Sequence, residues 1–153
     1  MKITLDFSGI EETLKQLESC ATDKEQREAN KRIVQRSAPI VKESMQRHIP
    51  VSADNKKSGR SLKGGRSSRP KSGHARENVP INKIVVRGIQ AEVDVGWKLD
   101  DNSEYFYMKF VEWGTWKMPP RDFIEVAIRE TEYQIAAIAE QEYKALIARK
   151  LGG

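Results

Sequence analysis

The side chains that could do covalent or metal chemistry are few and far apart. His48 and His74 are the only histidines and Cys20 is the only cysteine. A zinc site built on two histidines needs further ligands at set spacing, and no His-Glu-x-x-His pattern occurs. A lone cysteine can form neither an internal disulfide nor a multi-cysteine metal site. As a nucleophile it would need an activating base, and no histidine lies near Cys20 in sequence, so it reads as a small packing residue. Glu11-Glu12 and Glu140/Glu142 read as solvated helix faces rather than a glycosidase pair. No carboxylates cluster as a two-metal nuclease would require. Nucleophile-elbow, P-loop and dinucleotide patterns are absent from the sequence, so no enzyme, cofactor or metal is expected.

The strongest chemical signal is cationic. Lys56, Lys57, Arg60, Lys63, Arg66, Arg69, Lys71 and Arg76 crowd one segment, opposed only by Asp54. That segment outweighs the whole chain's net charge of +5, so the body is close to neutral. Clustered Lys and Arg attract phosphate backbones without reading sequence, or an acidic protein surface at long range. The segment lacks Phe, Tyr and Trp, so it offers no stacking platform for single strands, and no helix-turn-helix or zinc-finger spacing accompanies it. The basic residues are therefore expected to contact a neighbouring protein, with weak duplex DNA contact second. A non-specific nucleic-acid-binding protein is the alternative function, and a regulatory, antitoxin-like module a third and weaker one.

The elements that position these residues follow from local patterns. The length of 153 residues suits one domain. Apolar runs such as Ile84-Val85-Val86 are too short to cross a bilayer, and the N-terminus has no apolar signal core. Ser8-Gly9-Ile10-Glu11, Thr22-Asp23-Lys24-Glu25 and Asp122-Phe123-Ile124-Glu125 each place an oxygen-bearing residue three before a glutamate, the spacing of a capping box. Ile10, Leu14 and Leu17 then share a face of a short helix. Ala29, Ile33 or Val34, Ala38, Val41 and Met45 mark a longer helix toward His48, with Pro39 removing one backbone bond inside it. Residues 52–78 show no apolar periodicity and read as a flexible basic arm inserted in the single domain. Lys83–Ile89 and Ala91–Trp97 read as two antiparallel strands meeting near Gly88. Over Glu104–Trp113, Phe106, Phe110 and Trp113 share a helical face, with Ser103 and Gly114 as caps. Tyr105, Tyr107, Val111 and Trp113 would also suit a strand, and we read a short helix. Ile124, Ile128, Thr131, Ile135 and Ile138, continued by Ala145 or Leu146, mark a long amphipathic helix ending near Lys150. The fold class is α+β: two N-terminal helices, a small antiparallel sheet and a long C-terminal helix.

One segment carries a likeness. Phe110-Val111-Glu112-Trp113-Gly114-Thr115-Trp116-Lys117-Met118-Pro119-Pro120-Arg121-Asp122-Phe123 resembles a stretch of the tail-completion, gene-product-ten-like proteins of long-tailed phages. Glu112, Trp113, Gly114, Thr115, Lys117, Pro119, Pro120, Arg121 and Phe123 fit the pattern; Asp122 departs, because a proline commonly precedes that phenylalanine. Ser72-Gly73-His74-Ala75-Arg76-Glu77-Asn78-Val79 is similar to the family's turn into the first strand, and the order of elements agrees. The resemblance implies a structural protein of the virion neck or tail, made in the bacterial host's cytoplasm. It implies a ring of copies, hexameric in the family, that completes the tail and contacts head-connector and tail-tube proteins.

Within that segment the residues have a plain reading and a functional one. Gly114 is expected to permit a left-handed turn while Trp113 and Trp116 fill the core. Alternatively Glu112, Trp113, Gly114, Thr115, Trp116, Pro119, Pro120 and Phe123 form a contact surface, with Trp116 as its anchor.

Overall fold

The computed structural model describes residues 11–51 and 74–152. In chain order these form α1 (Glu11–Cys20), α2 (Asp23–His48), a single 3-10 turn (Ala75–Asn78), β1 (Val85–Arg87), β2 (Gln90–Glu92), α3 (Met108–Trp113) and α4 (Phe123–Leu151). This is the expected α+β class, two N-terminal helices and a long C-terminal helix around one antiparallel hairpin.

α2 starts where its capping box places it. The Thr22 hydroxyl accepts from the Glu25 N–H, and the Glu25 carboxylate accepts in return from the Thr22 N–H at 2.9 Å. The helix continues unbroken through Pro39. Pro39 and Gln35, whose carbonyl loses its partner, both lie on the exposed face, so water can replace the missing bond. Ala29, Ile33, Ala38, Val41 and Met45 are buried, the stripe read from the sequence with Ile33 taking the place open to Val34.

α2 and α4 run antiparallel, since Lys150 meets Glu25, Tyr143 meets Asn30, Glu142 meets Arg32 and Glu130 meets Ser44. The buried positions of α4 include Ile124, Thr131, Ile135 and Leu146, with Ala145 exposed. Ile128 and Ile138 only flank the core, and Ala139 and Tyr143 take the central places. The interior forms two clusters along this pair. One joins α1 through Leu17 to the start of α2 and the end of α4. The other gathers Val41, Met45, Val79, Val95, Tyr105, Met108 and Phe123. Cys20 packs against the first cluster.

The hairpin is shorter than its sequence pattern. The ladder pairs Val85 with Glu92, Val86 with Ala91 and Arg87 with Gln90, and resumes only at an isolated Ile81–Val95 bridge. Gly88 turns at φ +61° while Ile89 keeps a negative φ, the signature of a type II′ turn. Arg27 and Asn30 of α2 donate to the carbonyls of Gly88 and Ile89, both at 2.7 Å, and hold the turn against the helix. The 3-10 turn closes onto α2 as well: Ala75 is fully buried and the Arg76 guanidinium donates to the Ile49 carbonyl at 2.6 Å. His74 caps this turn, its Nδ1 accepting from the Arg76 N–H at 3.0 Å.

Candidate functional site: the loop between α3 and α4

Glu112 organises the loop. It is buried, and its carboxylate accepts the N–H groups of Phe123 and Ile124, the latter at 3.2 Å, so it satisfies the first turn of α4 from outside that helix. Burial pushes the Glu112 carboxyl above its usual range; the backbone bond from Ile124 opposes this, and the nearby Asp122 charge adds to it. The expected cap, Asp122, makes no such bond. Asp122 is left-handed at φ +46°, whereas a capping side chain needs an extended backbone to reach the N–H groups ahead of it. The main chain of Glu112 closes the loop too: its carbonyl accepts from the Arg121 N–H at 3.3 Å, and that of Val111 accepts from the same group at 3.1 Å.

Gly114 makes the closure feasible. It ends α3 at φ +73° and ψ 178°, a region open essentially to glycine alone. A Cβ there would stand 2.7 Å from both the Met118 carbonyl oxygen and the Pro120 nitrogen. The next four residues form a tight turn, with the Thr115 N–H donating to the Met118 carbonyl at 2.8 Å and the Met118 N–H to the Thr115 carbonyl at 3.1 Å. The Thr115 hydroxyl accepts from the Lys117 N–H at 3.3 Å. Trp116 and Lys117 therefore sit at the tip.

What this geometry presents is an aromatic surface. Trp116 is 90% exposed, and Trp113 and Phe110 are about half exposed at 48% and 45%. The Lys117 ammonium lies 4.5 Å from the centre of the Trp116 ring, a cation–π pair that keeps the two side chains together. The expectation that Trp113 and Trp116 fill the core is corrected. α3 turns Met108 and Glu112 inward, because Glu112 must reach the start of α4, and the face carrying Phe110 and Trp113 therefore points outward.

Of the residues singled out from sequence, Glu112, Trp113, Gly114, Thr115, Trp116, Pro119, Pro120 and Phe123 thus belong to one loop and its anchors. Phe123 and Glu112 are buried beneath it, and the prolines are exposed on it. Lys56, Lys57, Arg60, Lys63, Arg66, Arg69 and Lys71 lie outside the described residues. Sequence reasoning missed Phe110 as part of the exposed surface. Its signal was a glutamate in the middle of an aromatic run, which fixes the inward face once Glu112 is known to be a cap.

Two further carboxylates, Glu142 and Glu130, tie α4 to α2. Glu142 takes Arg32 at 3.0 Å and Arg36 at 2.7 Å. Burial alone would raise its pKa, and the two guanidinium contacts outweigh that and lower it. Glu140 pairs with Lys144 within α4. Glu130 accepts from the Ser44 hydroxyl at 2.6 Å and lies 2.8 Å from His48 Nε2, and its pKa is lowered by those two partners in that order. A serine and a histidine that both bind one carboxylate, rather than each other, form a clamp and not a nucleophilic relay. Among the described residues no three His, Cys, Asp or Glu side chains gather as metal ligands, and no helix is long and apolar enough to cross a membrane.

No curated protein and no solved structure matches the chain. A family model does, over residues 11–114, from the start of α1 to the glycine that ends α3; its description reads "Bacteriophage HK97-gp10, putative tail-component". The match spans more than half of the sequence and includes Glu112, Trp113 and Gly114, the first part of the loop described above. The chain is a member of the HK97 gp10-like family of phage tail components.

Proposed function

We propose that this tail component completes the phage tail and joins it to the head, acting without chemistry as one subunit of a ring. The ring is hexameric by family resemblance. It would sit in the virion neck, between head-connector and tail-tube proteins, after synthesis in the host cytoplasm. The observation that carries the reading is the exposed set of Phe110 and Trp113 on α3 and Trp116 on the loop closed by Glu112 and Gly114. A rigid, solvent-facing aromatic cluster costs free energy in an isolated subunit and gains it back when covered, which is the behaviour of an interface anchor. Deleting the gene and imaging the particles by electron microscopy tests this. Filled heads and finished tails lying apart are expected; joined particles in the deletion would overturn it.

The concentration of cations between Lys56 and Arg76 favours a second reading, a non-specific nucleic-acid-binding protein. Size-exclusion chromatography with the 260/280 nm absorbance ratio separates the two. Co-purifying nucleic acid would support the second reading, and a clean protein peak the first.

A further inference from the structure

We propose that copies of this chain join head to tail, with Trp116 and Lys117 of one copy seating in a cavity beside Trp97 and Tyr105 of the next. This rests on the ring reading above and names the two surfaces that would build the ring. The projecting half is the Thr115–Met118 turn, whose aromatic tip is 90% exposed and carries an ammonium over its ring. The receiving half is a cavity of about 470 Å³ lined by Asn78, Asn82, Trp97, Asp100, Asp101 and Tyr105, among others. That volume lies within the roughly 300–1,000 Å³ of pockets that bury organic ligands, and exceeds what one indole occupies.

The chemistry of the two halves is complementary. Half-buried Trp97 packs on buried Tyr105, ring centres 6.0 Å apart and planes at 49°, so Trp97 is the ring that a partner's indole would meet edge or face. Asn82, whose amide nitrogen donates to the Gly96 carbonyl at 3.4 Å, adds a side-chain oxygen of the kind that accepts an indole N–H. Charge agrees as well. The wall carries Asp100 and Asp101 against the single cation Lys98, while the turn brings Lys117 with Arg121 close behind it. Asp101 already accepts from the Ser103 hydroxyl at 2.5 Å, so exposed Asp100 is the acid better placed for a partner's lysine.

The two halves are also held at a fixed separation. Tyr105 precedes α3 and Gly114 ends it, so a helix of six residues, about 9 Å long, lies between cavity and tip. Lys109 of α3 donates to the Leu99 carbonyl at 3.0 Å and ties the cavity's outer loop to that helix. A projecting patch and a different receiving patch on one chain make a heterologous contact, which closes into a ring when the rotation permits.

The test is self-association of the full chain by analytical ultracentrifugation at low salt. Lys117→Asp and Asp100→Lys should each weaken it about tenfold, and an equal mixture of the two should recover most of the wild-type strength, because each new charge then faces its opposite. Lys24→Asp changes the net charge as Lys117→Asp does but leaves both surfaces intact, and should associate as the wild type does. Trp116→Ala should abolish association while the melting temperature stays unchanged, since the side chain is exposed. A wild type that stays monomeric up to hundreds of micromolar, a mixture no better than its components, or normal association of Trp116→Ala would each overturn the inference. None of those results bears on the gene-deletion experiment, whose particles report head–tail joining whichever surface holds the ring together.

Discussion

Glu112 spends its carboxylate on two backbone N–H groups at the start of a neighbouring helix, and it does so from a buried position. The bond needs an acceptor oxygen, not a charge. Glu112→Gln is therefore expected to keep the loop and to fold at least as stably as the parent near neutral pH, because the cost of burying a carboxylate disappears. Glu112→Leu removes the acceptor and should cost about 1–3 kcal/mol. The raised pKa sets the sign of a pH effect. Between the unfolded value, near 4.5, and the higher folded one, the native state binds more protons than the unfolded state. Stability from this group is complete below that window and falls as pH rises through it. The stability of Glu112→Gln relative to the parent should thus grow from pH 4 to pH 7 in chemical denaturation; a difference that shrinks would contradict the account. At Gly114 both the torsion and the space forbid a side chain, so Gly114→Val should cost on the order of 1–3 kcal/mol or more, read as a lower melting temperature. Thr115→Ser keeps the hydroxyl that accepts from Lys117 and should be far milder.

The α2–α4 pair bears most of the fold, and its seam contains one flaw. The Ser37 hydroxyl is buried with no hydrogen-bond partner among the described residues. Ser37→Ala removes that unsatisfied group and improves helix propensity together, so it should stabilise the protein by about 1–2 kcal/mol in a urea melt. An unchanged or lower midpoint would mean that a water or ion satisfies the hydroxyl. The ends of the same pair are tied by Glu25 and Lys150 at 2.6 Å. The lysine's bond, aided by the Thr22 N–H and hydroxyl, holds the Glu25 carboxyl down at about 2. Its folded pKa lies below its unfolded one, so its contribution is present above the ordinary carboxylate range and is lost as pH falls toward 2. Lys150→Met should flatten the acid limb of the stability curve. Surface exposure keeps the effect small.

For the whole molecule, the cationic segment stands apart in charge from a near-neutral body. Residues 74–78, read from sequence as the end of the arm, instead pack on α2 through buried Ala75 and the bond from Arg76 to the Ile49 carbonyl. We propose that residues 52–73 reach an adjacent protein, since a stretch of about 22 residues can span at most roughly 75 Å. Changing Lys56, Lys57, Arg60, Lys63, Arg66, Arg69 and Lys71 to glutamine should leave the melting temperature intact and lower the yield of joined particles. Tight duplex binding that survives physiological salt would instead favour the nucleic-acid reading, because phosphate contacts weaken steeply as salt rises.

The extents of α2 and α4 and the core face of α2 follow from local sequence. The Thr22 capping box and the stripe from Ala29 to Met45 act within one or two turns and are found where their patterns put them, and of the recurrence in α4 Ile124, Thr131, Ile135 and Leu146 are buried while Ile128 and Ile138 flank the core. The hairpin's position near Gly88 was equally local, since a positive φ at the first turn residue selects glycine. Which residue caps α4, and which way α3 faces, were decided only by tertiary structure. Asp122 had the right type and spacing, but loop closure drove its backbone left-handed and a glutamate ten residues earlier took over the N–H groups. Burying that glutamate turned Phe110 and Trp113 into solvent, and the tight turn after Gly114 put Trp116 at its tip, against the preference of all three for the interior. Propensity and periodicity report the cost of a residue in its own element. The balance between one buried carboxylate and three exposed rings depends on where two elements meet.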